Sequence, residues 1–390
     1  MKNDNKQVTA RHWPRIVHQV CAAIALSSSC VVTGSSAYAN DFEALPALTV
    51  AEARKRVLLD ITRAGGRLVA VGERGVVLYS DTGGNTWQQA VVPHSNTLTS
   101  VTFIDAQNGW AAGHGGIILH SGDGGQTWTK QFDGNQANQQ WLNFIQQRRD
   151  SLAETIEELD DSQQAERDDL EYRLDDAEYA LEDAALALQT GPVDPFLDIW
   201  FGDAKNGVAV GAYGMIYRTE DGGENWVIAA AGIENPDRYH YYDVDADRSG
   251  RLYLSGEAGL MYRSLDGGRQ WQRLGPFYDG SLFGVVTRGE EVMAYGLRGH
   301  IFKSVDGGTR WQSLPAAPFS LYGGTRLADG TVILVGAGGG YLLGPEGAPF
   351  ASKLHPSRSS FSSVSGDGSG RVVAVGMNGA AALPQGEASE

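Results

Sequence analysis

Cysteine is nearly absent from this chain. Only Cys21 and Cys30 occur among 390 residues, both close to the start, so the remainder has no means of building a disulfide framework in an oxidising compartment. Long hydrophobic runs are also scarce. The longest apolar stretch, at about 16–32, is interrupted by His18, Gln19 and a group of serines, which argues against a permanent transmembrane helix of roughly 20 residues. Positive charge is in short supply, with 31 Lys and Arg against 47 Asp and Glu and a net charge of −16. That balance argues against a nucleic-acid partner. The eight histidines are scattered without a His-x-x-x-His spacing, so no metal site is expected. No glycine-rich loop sits at a strand–helix junction to cradle a phosphate, and no cofactor is expected.

The first 39 residues read as a cleavable signal peptide. Lys2, Lys6, Arg11 and Arg15 precede the apolar stretch, and Ala37-Tyr38-Ala39 supplies small residues before Asn40. Cleavage after Ala39 would remove both cysteines and deliver the chain to the periplasm. Ser27-Ser28-Ser29 before Cys30, with Leu26 one place too early, does not match a lipoprotein site.

Glycine, by contrast, is abundant, at 51 residues, and it is periodic. A Gly-x-x-Gly turn followed by a short strand begins at Gly72, Gly113, Gly211, Gly256, Gly296, Gly336 and Gly376, in steps of 41, 98, 45, 40, 40 and 40. Five copies continue into a box ending in Trp. The first reads Ser80-Asp81-Thr82-Gly83-Gly84-Asn85-Thr86-Trp87, and the others lie at 121–128, 219–226, 264–271 and 304–311. A repeat near 40 residues made of short strands and glycine turns predicts an all-β, seven-bladed β-propeller with one blade per repeat. The box pairs, Asp81 with Trp87, Asp123 with Trp128, Asp221 with Trp226, Asp266 with Trp271 and Asp306 with Trp311, are read as structural. The carboxylate ties down its own turn and the indole packs between blades.

Each repeat parses into four strands, with Gly-x-x-Gly between the second and third and the box between the third and fourth. The glycine turns and the blade-to-blade connections therefore share one face. The predicted organisation is a closure strand plus blades 1 and 2 over 40–133, an insertion over 134–193, blades 3 to 7 over 194–385 and a tail at 386–390. Because blade 7 ends near Leu383 without a box, a strand near 45–50 is expected to complete it and close the ring.

The 98-residue step holds the insertion. Leu142, Ile145, Leu152, Ile156 and Leu159, with Arg149 in one seam position, and then Leu170, Leu174, Ala177, Leu181, Ala184 and Leu188 recur at 3–4 spacing. This predicts two helices in an antiparallel coiled-coil hairpin stopped at Gly191-Pro192. Between 150 and 186, fifteen acids against two arginines give a net charge of −13. Helices of about 25 residues would project about 35 Å, as a solvated surface or as an arm steered to a partner by charge.

Candidate partner-binding residues lie on the shared face. Arg74, beside Glu73, and His114, Tyr213, Glu257, Arg298 and Asn378 occupy the glycine turns. Tyr239, Tyr241, Phe277, Tyr278 and Phe319 occupy the blade connections. The connection rings fit either an exposed interaction rim or covers for the blade edges.

The boxes resemble the Asp-box of bacterial neuraminidase repeats, which raises glycan binding or sialidase-like hydrolysis as the alternative function. The one arginine context similar to that of sialidases, Pro14-Arg15-Ile16-Val17, lies in the signal peptide, and no carboxylate pair stands out. Seven copies of the turn, the box, and the pairs Val71-Gly72, Val210-Gly211, Val335-Gly336 and Val375-Gly376 resemble the photosystem II stability/assembly factor family. That resemblance implies a propeller without enzymatic activity that binds an immature membrane-protein subunit through an arginine-rich face; only Arg74 and Arg298 match arginine positions here. In non-photosynthetic bacteria it implies an accessory or assembly factor of an inner-membrane complex, such as a resistance-nodulation-division-type exporter.

Overall fold

The computed structural model describes residues 45–344 and 349–384. The signal peptide expected at 1–39, with both cysteines and the Arg15 context, and the tail at 386–390 lie outside the described residues. Seven antiparallel sheets follow one another along the chain, six of four strands and the last of three. Their innermost strands are Leu58–Ala64, Leu98–Phe103, Phe196–Phe201, Tyr241–Ala246, Leu282–Arg288, Leu321–Arg326 and Phe361–Gly366. Each packs against the innermost strands of the blades before and after it, and that of blade 7 returns to that of blade 1. The result is the seven-bladed propeller predicted from the repeat.

The second strand of each blade is apolar at nearly every position because both of its faces are covered by neighbouring blades. Val372–Gly376, for instance, is buried throughout. The core is accordingly divided into inter-blade layers. One joins Val69, Val71 and Val77 of blade 1 to Leu98, Ala111 and Leu119 of blade 2 under the Trp128 indole. The next places Trp110 of blade 2 flat on Phe201 of blade 3, with ring centroids 3.6 Å apart and an 8° tilt, beside Trp226.

The box turns are built from their own side chains. In blade 2 the Asp123 carboxylate accepts the backbone N–H groups of Gln126 and Thr127 at 2.9 and 3.0 Å, Ser121 Oγ accepts from Gly125 N–H, and the Trp128 indole donates to the Gly125 carbonyl at 3.1 Å. Asp221, Asp266 and Asp306 hold their turns in the same way. Blade 1 departs from the prediction. There Thr82 occupies the turn position and its hydroxyl accepts from Thr86 N–H at 2.9 Å. Asp81 stands one residue earlier and faces outward to a two-pronged pair with Arg67 at 2.7 and 2.9 Å.

Closure also differs from the expectation. Residues 45–50 form no strand, and blade 7 has three strands among the described residues. Instead the segment lies along blade 1. Ala47 N–H donates to the Val92 carbonyl, and the Gln89 amide both accepts from Val50 N–H and donates to the Leu48 carbonyl. Val50 and Ala53 then pack on the layer shared by blades 1 and 7. A single turn, Ala53–Lys55, lies against the last strand, Gly379–Leu383. The seam between first and last blades is thus strapped rather than completed by an extra strand.

The insertion is the predicted hairpin: α1 spans Gly134–Glu158 and α2 spans Gln164–Thr190. Asp133 starts α1 with a reciprocal cap, accepting from Asn135 and Gln136 N–H while the Gln136 side chain accepts from Asp133 N–H. Leu152, Leu170 and Ala177 form the distal seam with Ile156, Leu159 and Leu174 around them. Ile145 and Ala184 are buried nearer the base, while Leu188 at the end of α2 is half-exposed.

A candidate partner-binding face

The hairpin base is built into the propeller. The Ala137 side chain lies within the layer between blades 2 and 3, and the Tyr217 hydroxyl donates to the Ala137 carbonyl at 3.0 Å. Blade 3 ends in a two-residue outer strand, Val227–Ile228. Its open edge is satisfied by one side chain: the Gln140 amide accepts from Ile228 N–H at 2.9 Å and donates to the Trp226 carbonyl at 2.7 Å. An amide can satisfy both flanking backbone groups in this way because it carries donor and acceptor side by side.

Between the hairpin base and the turn face lies a cleft of about 260 Å³, lined among others by Asn138, Trp141, Asp194, Tyr213 and Arg238. The Arg238 guanidinium sits 5.0 Å from the Trp141 ring and 6.0 Å from the Tyr213 ring, positions suited to cation–π attraction. Burial pushes the Asp194 carboxyl above its ordinary pKa, against the pull of Arg238 and His240. From Tyr213 a line of rings crosses the face, with centroid spacings of 4.8 Å to His240, 6.2 Å on to Tyr242, 5.2 Å to Phe283 and 5.7 Å to Tyr322.

Tyr242, Phe283 and Tyr322 owe their place to a local irregularity. In blades 4, 5 and 6 the pairing register of the innermost strand skips one residue near its start, at these three positions. Such a bulge breaks strict alternation and re-aims the side chain. The motif was readable as apolar-aromatic-Asp or apolar-aromatic-Gly: Tyr241-Tyr242-Asp243, Leu282-Phe283-Gly284 and Leu321-Tyr322-Gly323. The turn-and-box pattern does not mark Phe283 or Tyr322, and Trp141 and Arg238 carry no periodic signal at all.

Of the predicted turn residues, Arg74, His114, Tyr213, Arg298 and Asn378 are exposed on this face. Arg74, Tyr213 and Arg298 adopt left-handed backbone with φ between 52° and 57°. The strain is supported by the following blade, whose first Ser or Thr accepts the turn N–H: Thr97 for Arg74 and Ser320 for Arg298. Only Tyr213 joins the aromatic line. Arg74 and Arg298 stand on blades 1 and 5 and do not form one arginine patch. Glu257 is half-buried and engaged, accepting from His240 N–H and pairing with its ring at 2.9 Å.

The connection aromatics are covers. Tyr241 is fully buried against Tyr262, and Tyr239 packs on the same layer. Phe277 stacks on Trp311 at 4.4 Å, Tyr278 packs on Phe302 and donates to the Leu297 carbonyl, and Phe319 packs on the layer between blades 5 and 6. These connections cross the apolar edges between blades, so their rings are drawn inward. Tyr239, Tyr241, Phe277, Tyr278 and Phe319 are therefore not the exposed rim.

Near the axis, Asp60, Asp198 and Asp243 follow the register skip of their strands. Each carboxylate accepts the backbone N–H of a following blade, from Val101 at 2.8 Å, Val244 at 2.7 Å and Val285 at 2.9 Å. Ser100 Oγ donates to Asp198 and Ser363 Oγ to Asp60, both at 2.6 Å. Burial raises the pKa of Asp60, Asp198 and Asp243, with neighbouring carboxylates adding to the last two, and lifts Asp245 to about 6. These carboxylates latch blade to blade.

A family model described as Photosynthesis system II assembly factor YCF48 matches residues 48–137 and 180–381. The chain belongs to this family. The gap in the match, 138–179, removes most of the hairpin and leaves its base. Among solved structures, a YCF48 with bound D1 peptide is similar at 18% identity with a TM-score of 0.57, covering 86% of this chain and 97% of that one. YCF48 from Cyanidioschyzon merolae is 15% identical, TM-score 0.55, over 84% of this chain and 95% of its own. PorZ, a surface component of the type-IX secretion system of Porphyromonas gingivalis, is 13% identical with a TM-score of 0.52, over 86% of this chain and 38% of its own. No curated protein matches. The likeness to these structures shows the seven-bladed fold. The YCF48 family fold here carries an insertion beside its turn face.

Proposed function

We propose that this propeller is a non-enzymatic scaffold that receives a polypeptide segment of a partner across its turn face, with the helical hairpin as a second point of contact. The observation that carries the reading is the line of rings from Trp141 at the hairpin base through Tyr213, His240 and Tyr242 to Phe283 and Tyr322. Aromatic side chains offer large contact area at small entropic cost, which suits them to recognition. Arg238 and the exposed Arg74 and Arg298 supply cations around an otherwise acidic molecule. A YCF48 relative has been solved with a peptide bound, which supports polypeptide as the ligand class.

The cellular setting we propose is the periplasm, with an inner-membrane complex as partner, an exporter of the resistance-nodulation-division type being the leading candidate. No helix among the described residues is long and apolar enough to cross a membrane, and the predicted signal peptide supports export. The test is in-cell photo-crosslinking from position 322 on the face and from position 163 at the hairpin tip. Subunits of one membrane complex captured from both positions would support the reading. Capture of no membrane-complex subunit from either position would sink it.

A further inference from the structure

Three consecutive seven-residue units make up most of α2: Asp168-Asp169-Leu170-Glu171-Tyr172-Arg173-Leu174, Asp175-Asp176-Ala177-Glu178-Tyr179-Ala180-Leu181 and Glu182-Asp183-Ala184-Ala185-Leu186-Ala187-Leu188. The third and seventh places of each unit form the seam facing α1 or its edges, with Leu170, Ala177 and Ala184 buried. The fifth place has no such explanation. Tyr172, Tyr179 and Leu186 are 68%, 71% and 55% exposed, yet they recur every seven residues, two positions on from the buried residue. On a helix this sets them on one stripe, turned away from the seam.

Their surroundings are equally regular. Residues three and four apart are neighbours on a helix surface. The positions three and four before each stripe residue are Asp168 and Asp169, Asp175 and Asp176, and Glu182 and Asp183, all six exposed. Within α2 the ion pair among the described residues is Arg173 with Asp169 at 3.8 Å. A solvated helix face needs neither the rings nor their register with the acids. A seam of two helices does not account for them either, since that seam is made by other residues.

We infer that the Tyr172–Tyr179–Leu186 stripe is a docking surface for a basic amphipathic helix of a partner, one that carries apolar residues at heptad spacing flanked by Lys or Arg. The docked helix would pack on the side of α2 opposite α1, forming a second two-helix seam over about 21 Å at 1.5 Å per residue. Charge decides the occupant. A second copy of this chain would bring the same carboxylates against these, and like charges across an interface repel. A partner with cations beside its apolar stripe is both steered to this face and matched once there. This rests on the reading of the hairpin as a contact arm and specifies what that arm contacts.

The test uses the mature chain and a synthetic three-heptad peptide with Leu at heptad spacing and Lys beside it. Controls are a scrambled peptide of the same composition and a version with Glu in place of Lys. Binding is followed by fluorescence anisotropy at low and high salt. The stripe variant is Y172S/Y179S/L186S, which leaves the seam intact. The charge variant is D175N/D176N/E182Q/D183N, and circular dichroism checks helicity in both. We expect the heptad peptide to bind, the stripe variant to weaken it about ten-fold or more, the charge variant to weaken it and flatten its salt dependence, and the Glu peptide not to bind. Equal binding of the scrambled peptide, or unchanged binding by the stripe variant, would reduce the effect to non-specific charge attraction and overturn the proposal. So would stripe-dependent self-association in sedimentation without peptide binding. Failure here leaves crosslinking from position 322 unaffected, so the two readings fail separately.

Discussion

The axial carboxylates make the clearest case at the scale of single residues. Asp198, Asp243 and Asp245 hold their protons more tightly in the folded protein than in an unfolded chain, where Asp titrates near about 4. The native state therefore binds more protons across that interval, and stability falls as pH rises from about 4 through about 6, where Asp245 titrates, and on through the raised values of Asp198 and Asp243. The box carboxylates act oppositely. Asp221 and Asp306 are held below their ordinary values, chiefly by side-chain bonds from Asn225 and Arg310, so they lose stabilisation only on stronger acidification. The melting temperature is expected to peak in mild acid and to fall toward pH 8. Asp243→Asn should reduce the difference between pH 5 and pH 8 in thermal scans, whereas an unchanged difference would mean that the latches do not titrate in this range.

The same scale tests the register of the first box. Asp123→Ala removes an acceptor for two turn N–H groups and should cost about 1–3 kcal/mol. Asp81→Ala breaks a partly exposed pair with Arg67 and should cost about 0–1 kcal/mol. Parallel denaturation curves decide the matter: equal losses would place Asp81 back in the turn. The spacing of Gly83 and Gly84 was legible in the sequence, but Ser80-Asp81-Thr82 offers two polar residues for one position. Counting back settles it: in the other four boxes the Asp stands five residues before the Trp, and five before Trp87 is Thr82, which leaves Asp81 to pair with Arg67.

At the scale of elements, the hairpin was legible almost to its ends because a 3–4 spacing of apolar residues has few other physical readings. Its attachment was not. Gln140 is one of several glutamines in α1, and nothing in the sequence marks it as the residue that satisfies both backbone groups at the edge of blade 3. Gln140→Ala should leave those groups without their protein partner and lower stability by about 1–3 kcal/mol, as measured by chemical denaturation. Because Ala137 and Tyr217 also join arm to blade, removing the whole insertion would open the layer between blades 2 and 3. Replacing only 149–180 with a short Gly-Ser turn should keep a single cooperative transition. If the arm makes a contact, the same truncation should weaken crosslinking of the partner from position 322; a truncated protein that crosslinks it equally from there would dismiss the arm.

For the whole molecule, periodicity foretold the number of blades and their order, since each repeat needs its neighbours to bury its apolar faces. It could not foretell closure, because the segment at 45–55 belongs to no repeat. The strap predicts a specific sensitivity. Gly379 has φ +81°, and a methyl group there would lie 1.8 Å from the Arg54 carbonyl. Gly338 has φ +64° with open space around it, and Ala258 holds the matching turn position in blade 4 with φ 51°. Gly379→Ala should therefore lower the melting temperature by several degrees and Gly338→Ala by less. Equal effects would mean that the strap is not needed for closure.

The latches are unevenly distributed around the ring. They join blades 7 to 1, 1 to 2, 2 to 3, 3 to 4 and 4 to 5. The corresponding positions in blades 5 and 6 are Gly284 and Gly323, and the Tyr295 side chain fills the space beside Gly284 and Gly324. The hairpin is rooted between blades 2 and 3, at the middle of the latched arc. Any partner that pulled on its tip, about 37 Å out along a 25-residue helix, would apply torque to the root. Axial carboxylate ties on either side of the root would meet that torque, whereas the seams around blade 6 lack them and are tied at the turn face instead, Ser320 Oγ accepting from Arg298 N–H and Ser360 Oγ from Gly338 N–H.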